Sequence, residues 1–333
     1  MRIDSSAPTR IDLAGGTIDI WPLYLFHPGA QTLNAATTLR AHCSLRARDD
    51  RRLVVVSEDS AVTATVDDPE ELLSHPALAL IARILMFFGA EGLEIVTRSD
   101  SPVGAGIAGS SALNIALCAA LARWKALTLT NDELMQIAMN VEAQAIDVPT
   151  GVQDYRPAVY GGVSAIELRV DGVQRRALPV DIDTLDAHVI VAYTGASRNS
   201  GINNWEVFKR HIDGDGAVRN VFDGICDVSA AMRLALEAGQ WTEVGVQIAR
   251  EWSLRKQLAP GVTTPLIDQL VDAALTEGAI AAKICGAGGG GCLLCFVPPD
   301  RRAAVQAALA SNGATILDCR LDREGLRVVE HPS

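Results

Sequence analysis

Positive charge is scarce in this chain: 29 Lys and Arg stand against 40 Asp and Glu over 333 residues, a formal net charge of −11. That balance argues against nucleic acid as the main partner. It leaves a nucleotide open, because local N–H groups and a metal can outweigh a distant acidic surface. Aromatics are few at 5%, and with 49% hydrophobic and 21% charged residues the balance is that of an ordinary soluble globular protein. No apolar run reaches about 18 residues without a charge or glycine break, so no membrane span and no membrane partner are expected. Repeats and low-complexity tracts are missing as well. Seven cysteines are scattered at 43, 118, 226, 285, 292, 295 and 319. Cys292 and Cys295 have CxxC spacing, but leucines fill it and no second pair or His cluster accompanies it. Buried free thiols are expected there rather than a metal. The start, Met1-Arg-Ile-Asp, shows no signal-peptide pattern, and a cytoplasmic protein is expected. The length exceeds one core of usual size, which predicts two domains.

What is present centres on Ser101–Asn114, SPVGAGIAGSSALN. Before it runs an extended stretch, Leu93 to Asp100, with apolar residues at 93, 95 and 96. After it runs an apolar helix, Ala112 to Trp124. Strand, glycine-rich loop and helix in this order suit a phosphate. Gly104, Gly106 and Gly109 let backbone N–H groups turn to a ligand, and a helix start offers unpaired N–H groups and partial positive charge. Ser110 and Ser111 stand where a hydroxyl caps the helix or reaches Mg²⁺. A plain glycine-rich turn with a serine cap is the other reading. A Walker loop is excluded, because no Gly-Lys-Ser/Thr follows. The GxGxxG of a Rossmann fold is matched only in letter, since no acidic residue closes a second strand about 20 residues on.

Elsewhere the pattern predicts strands over 7–14, 30–48, 53–56, 62–66, 163–170, 188–193, 281–285, 292–297 and 314–320. Helices are predicted over 76–88, from an N-cap at Asn131 to about 145, and over 204–211, 217–239, 241–258, 264–277 and 301–311. A polar stretch over 171–186 puts a domain boundary near 180–187, here drawn as 1–184 and 185–333. Strands and helices mixed in both parts make an α+β protein. Glycines mark three stretches, 8–19, 101–114 and 283–295, which suggests one cleft between two domains.

These three stretches, Pro8-Thr-Arg-Ile-Asp-Leu-Ala-Gly-Gly-Thr-Ile-Asp19, Pro102 to Ser111 and Lys283-Ile-Cys-Gly-Ala-Gly-Gly-Gly-Gly-Cys292, resemble in order and spacing the three motifs of the GHMP small-molecule kinases. The resemblance covers nearly the whole chain. It implies the two-domain fold of that family, with a ribosomal protein S5 domain 2-like N-terminal half and a ferredoxin-like C-terminal half. It implies ATP and Mg²⁺, with phosphates over Pro102, Gly104, Gly106, Gly109, Ser110 and Ser111, and the metal on Ser111 and Glu142. A structural ion pair is the other reading for Glu142. Asp154 matches the catalytic aspartate that takes or orients the proton of the acceptor hydroxyl, with a loop N-cap as its plainer reading. Arg10 matches the arginine beside the transferring phosphoryl group, and Asp19 the aspartate that holds sugar hydroxyls. Gly16, Thr17, Gly151, Gly288 and Gly289 fall in or beside the motifs as substrate contacts.

Tyr193-Thr-Gly-Ala-Ser-Arg198-Asn-Ser200, with Gln153-Asp154 and Tyr160-Gly-Gly162, resembles the heptose-phosphate kinase and fucokinase branch. That implies a small-molecule sugar or sugar-phosphate acceptor, phosphorylated at the anomeric hydroxyl, with Tyr193 and Arg198 in the substrate site. Arg156 and Lys209, with Arg198, could meet a substrate phosphate or be solvated surface charges. Two departures are visible. Ile18 replaces the threonine usual in the sugar kinases before Asp19, and the glycine loop is one residue longer than the family form. They keep open a different acceptor (a neutral hexose, a uronic acid or a nucleoside). A rival from another class is a ligand-sensing regulator without turnover, against which Arg10, Ser111, Glu142 and Asp154 together speak. A homodimer is left open.

Overall fold

The computed structural model describes residues 1–197 and 200–332. Its first half alternates strands and helices in the order β1 (Arg2–Ala14), β2 (Gln31–Ala47), β3 (Leu53–Ser57), β4 (Val62–Val66), α1 (Ala79–Phe88), β5 (Leu93–Ser99), α2 (Gly109–Trp124), α3 (Asn131–Ile146), α4 (Tyr155–Tyr160), β6 (Val163–Arg169) and β7 (Gly172–Ala177). A short α5 (Ile182–Ala187) leads to β8 (Val189–Tyr193), α6 (Ser200–Ile212), α7 (Gly216–Glu237), α8 (Trp241–Arg255), α9 (Pro265–Thr276), β9 (Ala281–Ile284), β10 (Cys292–Phe296), α10 (Arg302–Ser311), β11 (Thr315–Ile316) and β12 (Arg327–His331).

Eight strands form one sheet in the order β12-β1-β2-β5-β3-β4, with β6 on β2 and β7 on β6. The length of β2 explains the branching. Both of its halves pair β1 along one edge, while its first residues, Gln31–Ala35, pair β6 and its last, Ala41–Ala47, pair β5. Four antiparallel strands, β11-β8-β10-β9, form the second sheet. One apolar core lies between the first sheet and α1 to α4. Two others draw on both halves of the chain. Ile18 and Ile20 pack with Ile190, Phe222 and Trp252, and Ile11 and Leu13 with Val191 and Met232. The end of β1 and the loop after it are therefore gripped from both sides. The division drawn at 184/185 falls inside α5.

Several boundaries differ from the sequence pattern for identifiable reasons. Strand β1 starts at Arg2, five residues earlier than its clean alternation, because its start pairs both β2 and β12. The polar stretch holds β7, an exposed edge strand that among the described residues pairs only β6. The last predicted strand shrinks to β11, and β12, unexpected from sequence, returns the chain to β1. Helix α3 is capped by Thr130 rather than Asn131. The Thr130 hydroxyl accepts from Glu133 N–H while Glu133 reaches back to Thr130 N–H, which is the reciprocal capping box. All seven cysteines are buried and outside any disulfide.

Candidate active site

Arg10 lies on the inner face of β1, 2% exposed. Its Nε and Nη2 both donate to Asp154 Oδ1, at 2.9 and 2.6 Å, and its Nη1 donates to the Gly106 carbonyl at 3.1 Å. Its own N–H donates to the Ile107 carbonyl at 3.0 Å. One residue thus ties the first motif to the glycine loop and to the aspartate. Asp154 occupies the N-cap position of α4, yet its side chain makes no cap bond and is spent on Arg10 instead. The plain N-cap reading of Asp154 does not hold.

The glycine loop is shaped by left-handed residues, Gly104 (φ 69°) and Gly106 (φ 77°), and by Ala108 (φ 63°), which takes that region without being glycine. Ala108 is the N-cap of α2 and makes no side-chain cap bond, so Ser110 and Ser111 sit in the first turn rather than at the cap. The first i→i−4 bond of the helix runs from Ala112 N–H to the Ala108 carbonyl. The N–H groups of Gly109, Ser110 and Ser111 precede it and have no partner within the helix. Gly109 also has to be small, since a Cβ there would meet Ser101 Oγ at 2.9 Å. The loop is clamped from behind by Cys292 N–H, which donates to the Ala105 carbonyl at 2.7 Å.

Glu142, on α3, is buried and accepts from the Tyr155 hydroxyl at 2.8 Å. Burial pushes it above its usual range, Asp154 adds to that, and the hydroxyls of Tyr155, Ser110 and Ser111 counter it. No ion pair to Glu142 occurs among the described residues, so the structural ion-pair reading fails. Asp19 is also buried, and accepts from Gln153 N–H at 2.9 Å and from Gln153 Nε2 at 3.2 Å. Burial, followed by the charge of Asp154, raises it to about 6. Gly151 makes room for this carboxylate, since a Cβ there would overlap Asp19 Oδ2.

Two clefts meet at these residues. One, of about 1330 Å³, runs from Pro76, Leu80 and Val103 along Gly104 to Ser111. The other, of about 770 Å³, is lined by Arg10, Thr17, Asp19, Gln153, Trp205 and Ala287, among others. Ser111, Glu142, Ile146 and Asp154 line both.

The remaining predicted residues are placed unevenly. Thr17 lines the second cleft and donates to Asn204 Oδ1 at 3.4 Å. Gly16 faces Arg255, whose Nη1 a Cβ would meet at 2.6 Å. Gly288 and Gly289 turn to Val262, whose carbonyl accepts from Gly289 N–H at 2.9 Å. Gly286 and Ala287 are the members of this loop that reach the cleft. Tyr193, half-buried at the end of β8, packs on the second sheet. Arg156 donates to the carbonyls of Val152 and Val173, and Lys209 is exposed on α6. Arg198 lies outside the described residues.

Sequence reasoning missed the layer beneath. Asp12, two residues along β1 from Arg10, is fully buried and takes Lys283 Nζ at 3.1 Å and Arg255 Nη1 at 3.0 Å on Oδ2. It takes Gly286 N–H at 3.0 Å on Oδ1, with Arg10 Nη1 3.6 Å away. Arg255 also donates to the Gly286 carbonyl. Glu251, on α8, lies 2.9 Å from Lys283 Nζ, but outside hydrogen-bonding geometry. Burial alone would raise Asp12. The three cations and the Gly286 N–H more than offset it and hold the carboxyl well below the usual range. The signal was available: Arg10 and Asp12 share one face of a strand, and Lys283 opens the third motif.

Comparison with known proteins agrees with this architecture. The family model "GHMP kinases N terminal domain" matches residues 75–162 and "GHMP kinases C terminal" matches 232–315. The chain is 27% identical to a D-glycero-alpha-D-manno-heptose 7-phosphate kinase of Campylobacter jejuni over 335 residues, covering 98% of each. It is 26% identical to a mevalonate kinase of Thermococcus onnurineus, covering 99% of each. Among solved structures, a D-glycero-D-manno-heptose 1-phosphate kinase from Bacteroides thetaiotaomicron has a TM-score of 0.79 at 22% identity, covering 99% of this chain and 100% of that one. Lactococcus lactis galactokinase complexed with galactose has a TM-score of 0.79 at 20% identity, covering 98% and 95%. Both domain models of one family are matched, in order and together over more than half of the chain, and the chain belongs to the GHMP kinase family.

Proposed function

We propose that this chain is an ATP-dependent kinase that transfers the γ-phosphate to a hydroxyl, the anomeric one, of a sugar or sugar phosphate such as D-glycero-D-manno-heptose 7-phosphate. The observation that carries the reading is the meeting of two clefts at Ser111, Glu142 and Asp154, with Arg10 bonded to Asp154 at the junction. The cleft along Gly104 to Ser111 takes the nucleotide, with its phosphates toward the unpaired N–H groups that open α2. The second cleft takes the acceptor, and Asp19 with Gln153 grips its hydroxyls. Both Arg10 bonds fall on Asp154 Oδ1, so Oδ2 is left by them to accept the proton of the attacking hydroxyl. Arg10 also places a fixed positive charge beside the phosphoryl group in flight.

The donors at the junction suit Mg²⁺. Glu142 is a buried carboxylate of raised proton affinity with the Ser110 and Ser111 hydroxyls beside it, a hard oxygen set open to both clefts. Among the described residues no group of three or more His, Cys, Asp or Glu could hold a metal alone. A site of one carboxylate completed by substrate phosphates is a common Mg²⁺ arrangement. Bound on Glu142 and Ser111, the ion would neutralise phosphate charge. Among the described residues no helix is long and apolar enough to cross a membrane, and a cytoplasmic enzyme fits this reading.

The acceptor reading is supported by the similarity to the Campylobacter jejuni relative and by the branch-like sequence at 193–200. A coupled ADP-release screen with Mg-ATP tests it, across heptose 7-phosphate, fucose, galactose, mannose, glucuronate and several nucleosides. Turnover led by a phosphorylated sugar is expected. Turnover led by a nucleoside would overturn the acceptor, and ATP binding without transfer to any compound would overturn the kinase in favour of a sensor.

A further inference from the structure

Helix α6 brings an aromatic stripe to the second cleft. Trp205 and Phe208 stand three residues apart and neighbour each other on the helix surface, and His211, three further on, continues the row toward the core. Trp205 and Phe208 line the cleft and stack on each other, with ring centroids 5.3 Å apart and planes 11° from parallel. His211 is fully buried at the foot of the stripe. Its Nε2 meets His27 Nε2 at 2.8 Å, and the Phe26 ring lies 5.5 Å away. His27 in turn bonds Asp223 at 2.7 Å. The stripe is therefore anchored to the segment after Asp19 at one end, and Thr17 touches Asn204 at the other. Trp205 itself is 42% exposed. A rigid ring held half bare inside a cleft keeps apolar surface for something that enters it.

The rest of that cleft states what enters. Thr17, Asp19, Gln153 and Asp154 supply polar groups. A molecule that meets both kinds of wall has hydroxyls on its rim and C–H groups on its face, which is the chemistry of a sugar ring. We propose that Trp205, braced by Phe208, is the stacking platform for the apolar face of the acceptor's sugar ring, and so determines specificity for sugars over flexible alcohols. This rests on the kinase reading above and narrows its acceptor to a cyclic sugar.

Two measurements on the full chain test it. The first compares Trp205→Ala and Trp205→Phe with wild type in steady-state kinetics, using the acceptor that turns over fastest. The Ala variant is expected to raise the acceptor KM about tenfold, the scale of one lost aromatic contact. The ATP KM should not move, and Phe should restore most of the loss. Equal acceptor KM values in all three proteins, or ATP and acceptor KM values that rise together, would overturn the proposal. The second measurement needs no turnover. Saturation-transfer NMR with irradiation of aromatic protons, using mannose where no compound is phosphorylated, should show transfer to the sugar C–H protons in wild type. That transfer should be largely lost in Trp205→Ala. Absent transfer in wild type, or unchanged transfer in the variant, would refute the platform. Transfer without any phosphorylation would uphold the platform and refute the kinase reading alone.

Discussion

The buried layer under Arg10 makes a demanding prediction about Asp12. The Asp12→Asn substitution keeps volume and shape but removes the charge that Lys283, Arg255 and Arg10 share. All of these groups are at most 2% exposed. In wild type, Asp12 and Glu251 face three cations, with Asp154 beyond Arg10. In the variant only Glu251 remains inside that layer. The amide also has the wrong inventory: its NH₂ must point at either the Gly286 N–H or the Lys283 and Arg255 donors, so a donor faces a donor. Breaking a buried charged set by removing one partner costs about 3–5 kcal/mol, because it strands the others. The Asn variant should sit at the lower end of that range in urea unfolding followed by far-UV circular dichroism. The cost has a pH signature. The folded carboxyl is held below its unfolded value, so its contribution is present in full above the unfolded value of about 3.9 and disappears on acidification below it. The gap between wild type and variant should therefore be constant from pH 7 to about 5 and narrow below about 4. A variant within about 1 kcal/mol of wild type at pH 7, the ordinary range of a surface change, would refute the reasoning.

Other outcomes follow from the acceptor cleft. Gly151→Ala forces a methyl group into Asp19 Oδ2, so the acceptor KM should rise while the ATP KM stays, as read in paired substrate titrations. Equal change in both would show a general collapse of the cleft. Asp19 is raised to about 6, so the carboxylate proposed to accept sugar hydroxyls is present above that value and is lost as the pH falls through it. The acceptor kcat/KM should then drop on the acid side of about 6, and Asp19→Asn should be slower but lack that limb. A folded value above the unfolded one also means that Asp19 favours the fold at low pH and ceases to as the pH rises through 6. Asp19→Asn should accordingly flatten that part of the stability profile.

Local chemistry was well exposed in the sequence. The glycine loop needs left-handed positions and small residues, and these leave a readable trace at Gly104, Gly106 and Gly109. Helix α1 ends at Gly89 in the left-handed region, which its Phe-Phe-Gly already announces. Arg10 and Asp19 stand in the first motif and Glu142 and Asp154 between motifs, all four pointed to by the family resemblance, and the fold brings all four to the second cleft. What the sequence did not announce depends on distant partners. Lys283 and Arg255 meet Asp12, with Glu251 against both cations, only because α8 and β9 pack on the end of β1, and no local periodicity encodes that. β12 is half polar, so its pairing with β1 carries no strong alternation. Trp205 reads as one more apolar residue on an amphipathic helix until the cleft beside it is known. Gly16, Gly288 and Gly289 lie in the right motifs, but Gly16 leaves room for the Arg255 guanidinium, Gly288 for the Val262 backbone, and Gly289 N–H bonds the Val262 carbonyl.

The measurement closest to the central claim is the turnover of Asp154→Asn with Mg-ATP and the best sugar acceptor, alongside nucleotide binding by calorimetry. Asp154 is partly exposed, and an amide can still accept from Arg10, so the variant should fold and bind ATP nearly as wild type does. The account predicts a fall in kcat of about 10²- to 10⁴-fold, the scale of a lost general base, with the ATP Kd within a few-fold. Retention of kcat within about threefold would contradict it, and would mean that the proton of the acceptor hydroxyl leaves by another route.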